Sequence, residues 1–457
     1  MVSWIFLVVA IWGALWTLVS FRPPHRPGFL MVIGFFAAWS TTELAPIHLL
    51  WQLVAVVVFV LLGALDSWPG WVALAITLVS WVGLASSVKG ALETDRAFAG
   101  AMADALGPEW NANLDPQLRD SAARVNWSRI VFPFWYRRRG VQRLRNIQYV
   151  DDGRKRHRLD VYRSSEASEG APVLLQIHGG GWMIGNKDQQ GLPLMYHLAA
   201  RGWVCVAINY RLSPRGTWPD HLVDCKRALA WIRTHIAEYG GDPGYVVVTG
   251  GSAGGHLTAM MGLTANDPQY QPGFEDVDTS VRAMIPFYGV YDWTGTAAQR
   301  RDEGLRDILQ KHIVKRRFED APDVYEHASP LFNIHPGAPP ALVIHGDLDT
   351  LAPVEEARAF VEKLRATSRK AVVYVELKGA HHAFEVFNSI RAMHAIAGVD
   401  LYLAWLLRAE PSDPARSRPD ADRAGSAAPA GQASDPTPTG YTARPPTQPT
   451  RAAPGRS

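Results

Sequence analysis

The first 88 residues are dominated by long apolar runs. Met1–Phe21, Ile47–Leu65 and Trp71–Val88 each approach the length of about 20 residues that a helix needs to cross a bilayer core. Gly28–Thr42 is shorter and could cross with local thinning or form a re-entrant segment. All these runs are apolar on every face, unlike the surface helices of soluble proteins, which have a polar face. The pattern predicts four membrane spans, with three as the alternative.

Aromatic residues mark the ends of the apolar runs. Tryptophans stand near several ends, at Trp4, Trp39, Trp51, Trp68 and Trp71. Such positions are typical of rings that anchor a helix at the membrane–water boundary. A secretory signal peptide would account for the first run alone, and that run begins without basic residues. We therefore predict a multi-pass protein of the cell membrane, with the lipid bilayer as a partner.

Basic residues beside the spans bear on sidedness. Arg22 and Arg26 favour a cytoplasmic first loop. Four spans would then place the rest of the chain outside the cytoplasm, whereas Lys89 and Arg96 favour the opposite side. With three spans both basic sets are cytoplasmic. The sequence does not decide on which side of the membrane the rest of the chain lies.

Beyond Asn146 the pattern changes to short apolar runs that alternate with helical spacing. The predicted strands are Val173–Ile177, Trp203–Asn209, Tyr245–Thr249, Ala341–His345 and Val372–Glu376. Helical spacing occurs over Pro219–Tyr239 and Val354–Leu364. Buried strands that alternate with helices predict an α/β fold, a mostly parallel sheet with helices on both faces. Functional residues in such sheets gather at the carboxyl ends of the strands.

These shifts divide the chain into four parts. We predict a membrane region at residues 1–88, a helical and basic connector at 89–145, a folded domain at 146–408 and a disordered tail at 409–457. The connector could form part of a lid, and its arginines beside aromatic residues indicate either a solvated face or docking on anionic head groups. The tail has too few apolar residues to offset its ordering entropy. We expect the membrane region and the folded domain to be separable.

Composition excludes some function classes. The net charge of +3 is too small for a dedicated nucleic-acid binder, which would show a strongly basic stripe. The two cysteines, Cys205 and Cys225, form no CxxC pair and indicate buried thiols rather than a zinc or redox site. We predict no metal and no cofactor.

A glycine-flanked serine follows one predicted strand. Gly250-Gly251-Ser252-Ala253-Gly254 is G-x-S-x-G between a strand and a helix, the arrangement that holds a nucleophilic serine in a tight, strained turn. A phosphate-binding loop is a poorer interpretation because no Gly-Lys-Ser/Thr follows. A passive serine in a glycine-rich turn is the alternative for this motif alone.

A second glycine run follows the strand Val173–Ile177. His178-Gly179-Gly180-Gly181-Trp182 lets the backbone approach a ligand closely. An acyl-transfer intermediate carries an oxyanion, and backbone N–H groups can stabilise it at such a place. The alternative is a flexible loop.

Two further loops each offer a pair of candidates. Asp347 and Asp349 follow the strand Ala341–His345, and a carboxylate there can orient a histidine. His381 and His382 follow the last predicted strand, where a base would approach the serine. We favour Asp349 and His382, which leaves Asp347 to the turn. The order Ser252, Asp349, His382 along the chain is the one expected for this kind of sheet.

These residues resemble the hormone-sensitive-lipase-like branch of the α/β-hydrolases, bacterial carboxylesterases in particular, from about Asn146 to Leu407. The similar motifs are HGGGW at His178–Trp182, Tyr210-Arg211-Leu212-Ser213-Pro214 and G-x-x-H-x-F at Gly379–Phe384. The resemblance implies Ser252 as nucleophile, His382 as base and Asp349 as its orienter. It also implies oxyanion donors from the amides of Gly180, Gly181 and Ala253, with His178, Gly179, Gly250 and Gly254 supporting the motifs.

The predicted function is hydrolysis of carboxylic esters through an acyl-enzyme, on short- to medium-chain or lipid-like esters. An amidase, formamidase or deacetylase could use the same residues. The alternative from another class is a non-catalytic binding protein on this scaffold. Such proteins usually lose part of the Ser-His-Asp triad. The oligomeric state is open.

Overall fold

A computed structural model describes residues 1–23, 28–122, 124–166, 169–297 and 303–409. Beyond Ala409, the predicted tail lies outside the described residues. The helices are α1 (Val2–Phe21), α2 (Gly28–Glu43), α3 (Ala45–Leu61), α4 (Trp68–Leu92), α5 (Thr94–Leu106), α6 (Pro116–Ala122), α7 (Trp127–Val131), α8 (Leu192–Ala199), α9 (Asp220–His235), α10 (Ala253–Leu263), α11 (Glu303–Ile308), α12 (Pro322–His327), α13 (Val354–Thr367) and α14 (Ile390–Ala409). The strands are β1 (Val141–Gln148), β2 (Arg158–Ser164), β3 (Ala171–Ile177), β4 (Val204–Ile208), β5 (Gly241–Gly251), β6 (Ala283–Phe287), β7 (Ala341–Gly346) and β8 (Val372–Leu377).

All eight of these strands form one sheet in the order β1-β2-β4-β3-β5-β6-β7-β8. β2 pairs antiparallel with both β1 and β4, and the remaining pairs are parallel. Side chains alternate along β3, so that Val173 and Leu175 enter one core and Leu174 enters the other, as the two faces of a strand require. This confirms the predicted α/β fold class, a mostly parallel sheet covered on both faces.

The connector contributes to the core of the domain. Phe98 and Met102 of α5 are buried in the core under α14, and Phe98 lies against Gly398. This packing makes α5 a layer of the domain, and a lid formed by other parts of the connector stays a prediction. Strand β1 begins at Val141, so the predicted boundary at residue 146 cuts through a strand.

Helices α1, α3 and α4 pack with their polar side chains inward. Thr17 Oγ1 lies 2.8 Å from Ser80 Oγ, in the contact between α1 and α4. The outward faces carry large apolar side chains such as Trp12 and Val79, which are 59% and 74% exposed. Small and polar residues inside with large apolar residues outside are typical of helices that pack in lipid.

Contacts at the helix ends give the direction of each helix. Ser67, just before α4, donates to Ser3 at the start of α1 over 2.8 Å. At the other end, Ser20 of α1 and Gly90 of α4 both lie against residues 378–381 of the domain. Helices α1 and α4 therefore run parallel, and α3 returns between their ends.

Helix α2 takes a different course. Its described part Ile33–Glu43 is bent by 85° from α3, and its Trp39 and Glu43 side chains bond to the domain. Length and composition allow α1, the run from α4 into α5, and the bent pair α2–α3 to cross a membrane. Helix α14 also passes that test but is largely buried against the sheet. Among the described residues the N-terminal region thus offers three crossings, α1, α4 and the bent pair α2–α3 counted as one.

The membrane region is not packed apart from the domain. Helices α1–α4 belong to the same compact unit as the sheet, and bonds join them to the loop after β8. The expectation of two separable parts stays a prediction, and it rested on the change in composition at Val88, which does not report contacts between helices and sheet.

Candidate active site

The serine of the G-x-S-x-G motif lies on a sharp turn between β5 and α10. Ser252 has φ 59° and ψ −123°, a strained conformation for a residue with a Cβ. Its amide donates to the carbonyl of Phe287 over 3.0 Å, which ties the turn to the end of β6. The turn presents the partly exposed Ser252 side chain at the carboxyl edge of the sheet.

Three glycines let other backbone segments close in around this turn. A Cβ on Gly250 or Gly254 would lie 2.4 or 2.2 Å from the carbonyl oxygen of Ile177. A Cβ on Gly179 would lie 3.0 Å from the Cβ of Ser252. Any larger residue at these positions would separate the turn from the end of β3, so glycine fixes the distance between the serine and the HGGGW segment.

The candidate oxyanion donors lie in the glycine run after β3 and at the start of α10. Gly180 and Gly181 have φ 108° and φ 58°, which places them in conformations that glycine adopts readily. Ala253 begins α10, and the first amides of a helix have no acceptor within that helix. These three residues are the predicted oxyanion donors, and the structure brings them to the same edge as Ser252.

His178 supports the glycine run and is not placed as a base. Its ring stacks on Tyr210 with centroids 4.4 Å apart, and its Nδ1 lies 2.7 Å from the carbonyl of Gly179. Burial lowers the pKa of His178 to about 4, so the ring is neutral at physiological pH. Trp182 packs beneath the run against His256, with ring centroids 5.1 Å apart.

Asp349 and His382 are in direct contact. Asp349 Oδ2 lies 2.7 Å from His382 Nδ1, while Oδ1 accepts from the amides of Leu351 and Ala352 at 2.9 Å each. Burial raises the pKa of Asp349, but the contacts with His382 and His345 outweigh it and hold that pKa well below its usual range. Asp349 is therefore ionised and able to stabilise a protonated His382.

Asp347 and His381, the alternatives to Asp349 and His382, bond to other groups. Asp347 Oδ1 accepts from the amide of Gly379 at 2.6 Å, which closes the turn after β8. His381 Nδ1 and Nε2 lie 3.2 and 2.8 Å from the carbonyls of Leu348 and Ser20. Neither neighbour shares the contact between Asp349 and His382.

Sequence reasoning did not find Tyr288 and Glu385. The Tyr288 ring lies 4.5 Å from the His382 ring, and its hydroxyl donates to the buried carboxyl of Glu385. Burial raises the pKa of Glu385 to about 7. The position of Tyr288 directly after β6 was the available signal, but that strand was not predicted.

Sequence reasoning also did not find the contribution of α2. The Phe35 ring lies 6.2 Å from the His382 ring, nearly perpendicular to it, and Trp39 donates to the carbonyl of Ala383. Nothing in an apolar run indicates which of its residues face a distant loop, so no signal in the sequence identified these contacts.

The described residues offer acid–base and nucleophilic chemistry at this edge of the sheet. They bring together no group of three or more His, Cys, Asp or Glu side chains that could hold a metal ion. What the site does present is a serine on a strained turn, an imidazole held by an ionised carboxylate, and amides beside the serine. This arrangement suits attack on a carbonyl carbon.

Comparisons with known proteins agree with this chemistry. Residues 159–364 match the family model described as BD-FAE. The chain is 42% identical to LipM of Mycobacterium tuberculosis H37Rv, a probable carboxylic ester hydrolase, over 87% of this chain and 92% of LipM. It is 41% identical to esterase LipQ of the same organism, over 68% of this chain and 75% of LipQ.

A solved structure gives the same fold. A truncated carbohydrate esterase from gut microbiota matches 58% of this chain and 96% of its own, with a TM-score of 0.50 and 22% identity. At that identity the similarity concerns the fold alone.

Proposed function

Because the chain belongs to the hormone-sensitive-lipase-like family of bacterial esterases and is a carboxylic ester hydrolase, we propose that Ser252 is its nucleophile, His382 its base and Asp349 the orienter of that base. The observation that carries this assignment is the 2.7 Å contact between Asp349 Oδ2 and His382 Nδ1. It lies at the sheet edge where the strained turn presents Ser252.

The proposed reaction has two halves. His382 Nε2 takes the proton of Ser252 as Oγ attacks the ester carbonyl, and the amides of Gly180, Gly181 and Ala253 hold the oxyanion. The intermediate collapses to an acyl-enzyme as His382 protonates the departing alcohol. Water then attacks the acyl-enzyme by the same route and releases the acid. Asp349 keeps Nδ1 protonated and stabilises the imidazolium throughout.

The proposed substrates are short- to medium-chain esters, including lipid-like ones. Support comes from helices with apolar outward faces that lie beside the loop carrying His382. The exposed rings of Phe132, Phe134 and Trp135 add an apolar patch next to that loop, since Trp135 accepts a bond from Asn388. Arg143 of the basic connector forms an ion pair with Asp160, so it is not a free cation for an anionic head group.

We further propose a multi-pass membrane protein with its catalytic domain in the cytoplasm. Three crossings put the end of α1, with Arg22, on the same side as the end of α4, with Lys89 and Arg96. Basic residues beside spans favour the cytoplasm. The domain follows α4 and lies on that side.

Removal of the serine hydroxyl tests the assignment. Ser252→Ala should lower kcat on chromogenic acetate, butyrate and octanoate esters by about 10⁶-fold, because no other group provides the acyl-accepting oxygen. Ser128→Ala, at an exposed serine, is the matched control and should behave as wild type. Near-normal hydrolysis by purified Ser252→Ala would refute Ser252 as nucleophile.

A further inference from the structure

The loop that carries His382 is held on both sides by the N-terminal helices. This histidine loop runs over residues 378–391, from the end of β8 into α14. The indole N–H of Trp39 donates to the carbonyl of Ala383 over 2.8 Å, one residue after His382. One residue before it, the imidazole of His381 lies 2.8 Å from the carbonyl of Ser20 in α1.

A buried ion pair fixes the two ends of the same loop. Glu43, the last residue of α2, accepts from Arg391 Nε at 2.9 Å and from Ser389 Oγ at 2.6 Å. Arg391 in turn donates to the carbonyls of Lys378 and Gly379. The Glu43 and Arg391 side chains are almost fully buried, so this pair is shielded from water and from salt. The carboxylate of α2 thereby orients the cation that closes the loop.

The histidine loop needs such support because its backbone is strained at Ala383, next to His382. Ala383 has φ +63°, a conformation that costs a residue with a Cβ about 1–2 kcal/mol. The carbonyl of this strained residue is the one that Trp39 holds. Phe35, one helical turn before Trp39, stacks on the Trp39 ring and meets the edge of His382. A small shift at Ala383 would move the adjacent His382 relative to its contacts with Asp349 and Phe35.

We propose that α2 is part of the catalytic apparatus, with Trp39 and Glu43 as positioning residues for His382. This inference rests on the proposed role of His382 as base. Trp39 and Glu43 act through the histidine loop and make no contact with the reacting atoms. Helix α2 of the N-terminal region thus affects kcat by holding His382 in place, although the reacting groups all lie in the α/β domain.

The substitution Trp39→Phe in the full-length protein tests this, because it removes the indole N–H and keeps an aromatic ring. Trp71→Phe is a matched control, since Trp71 also donates to a backbone carbonyl, that of Leu65, over 2.9 Å. Both substitutions remove one such bond from the N-terminal helices. Both proteins would be purified in the same detergent and assayed on a butyrate ester.

Trp39→Phe should lower kcat by about fivefold to tenfold, the effect of losing one hydrogen bond that holds the reactive geometry. KM should stay within about twofold, and the rate of labelling by a small fluorophosphonate should fall in step with kcat. Trp71→Phe should leave both rates at the wild-type level. Thermal unfolding should shift equally in the two variants, so that a general loss of stability cannot account for the difference.

Equal kcat and labelling rates in Trp39→Phe and Trp71→Phe would overturn the proposal. So would a Trp39→Phe defect confined to KM, because positioning of the base acts on turnover. If Trp39→Phe does not accumulate, Glu43→Gln replaces it in the same assays. The same loss of kcat is expected. An unchanged kcat, or a defect confined to KM, would again overturn the proposal.

The inference and the proposed function can fail separately. An active His382→Ala variant would refute the role of His382 and, with it, this inference. An inactive His382→Ala beside a fully active Trp39→Phe would refute the positioning role of α2 alone.

Discussion

At the scale of single residues, each of the two ambiguous pairs is divided by its hydrogen-bond partners. Asp349 and His382 bond to each other, whereas Asp347 and His381 bond to backbone groups. Asp349 also accepts from the amides of Leu351 and Ala352, so the distinguishing feature is its contact with His382, which Asp347 lacks.

The two aspartates should respond differently to the same substitution. Asp349→Asn should lower kcat by about 10⁴-fold, because an amide cannot stabilise the imidazolium and favours the wrong tautomer of His382. Asp347→Asn should change kcat by less than about threefold, since an amide oxygen can still accept from Gly379. Steady-state hydrolysis of a butyrate ester measures both, and the reverse ranking would assign the orienting role to Asp347.

Glu385 gives the protein a pH-dependent stability. Its pKa is raised from an ordinary 4.5 to about 7 by burial, so the folded state holds a proton that the unfolded state has already lost. Stability should therefore fall as pH rises through this window, by up to about 3 kcal/mol, and level off above pH 7. Glu385→Gln should flatten this part of the profile, as measured by thermal unfolding at several pH values. Parallel profiles for the two proteins would contradict this account.

The sequence made the candidate chemical groups more visible than the residues that contact them. Ser252, Asp349 and His382 follow strands and carry motifs that spacing makes visible. Tyr288, Trp39 and Glu43 reach the site through tertiary contacts between parts of the chain far apart in sequence. A motif reports local backbone needs and contains no information on which distant side chain packs against it.

At the scale of elements, the turn between β5 and α10 depends on close approach to β3. Gly254→Ala should destabilise the protein by about 3 kcal/mol or more, because its Cβ would lie 2.2 Å from the carbonyl oxygen of Ile177. Gly100→Ala in α5 meets nothing within 4 Å and should stabilise by about 0.5–1 kcal/mol. Opposite shifts in the thermal midpoint are expected. A tolerated Gly254→Ala would mean that the turn can move away from β3.

Sequence reasoning missed the strands β1, β2 and β6. Strand β1 is rich in polar residues and lies at the sheet edge. Strand β6 contains Pro286, which has no N–H for the ladder and argues against an inner strand. It nevertheless pairs with β5 and β7, and all five of its residues are buried. The buried parallel strands β3, β4, β5, β7 and β8 were predictable because their apolar runs are continuous.

At the scale of the whole molecule, the count of crossings decides sidedness. Three crossings and the basic residues at Arg22, Lys89 and Arg96 favour a cytoplasmic catalytic domain. A fluorescent protein fused after Ala409 should therefore fluoresce, and alkaline phosphatase at the same place, which needs an oxidising compartment to form its disulfides, should be inactive. Active phosphatase with a dark fluorescent fusion would place the domain outside the cytoplasm and contradict this orientation.

Composition predicted the apolar N-terminal helices but not their attachment to the α/β domain. The apolar runs of residues 1–88 predicted helices correctly, because helices alone satisfy their backbone groups within one segment in lipid. The bond of Trp39 to the histidine loop and the pair of Glu43 with Arg391 were not predictable from an apolar pattern. Those contacts join helices α1–α4 and the sheet in one compact unit.

The most direct test of the central claim is covalent labelling by a fluorophosphonate, located by peptide mass analysis. Such a probe reacts with a serine that a neighbouring base activates. The full-length protein should gain one adduct, on the peptide containing Ser252, and His382→Ala should gain it at a rate reduced by several orders of magnitude. Labelling at another serine, or undiminished labelling of Ser252 in His382→Ala, would contradict the catalytic arrangement described above.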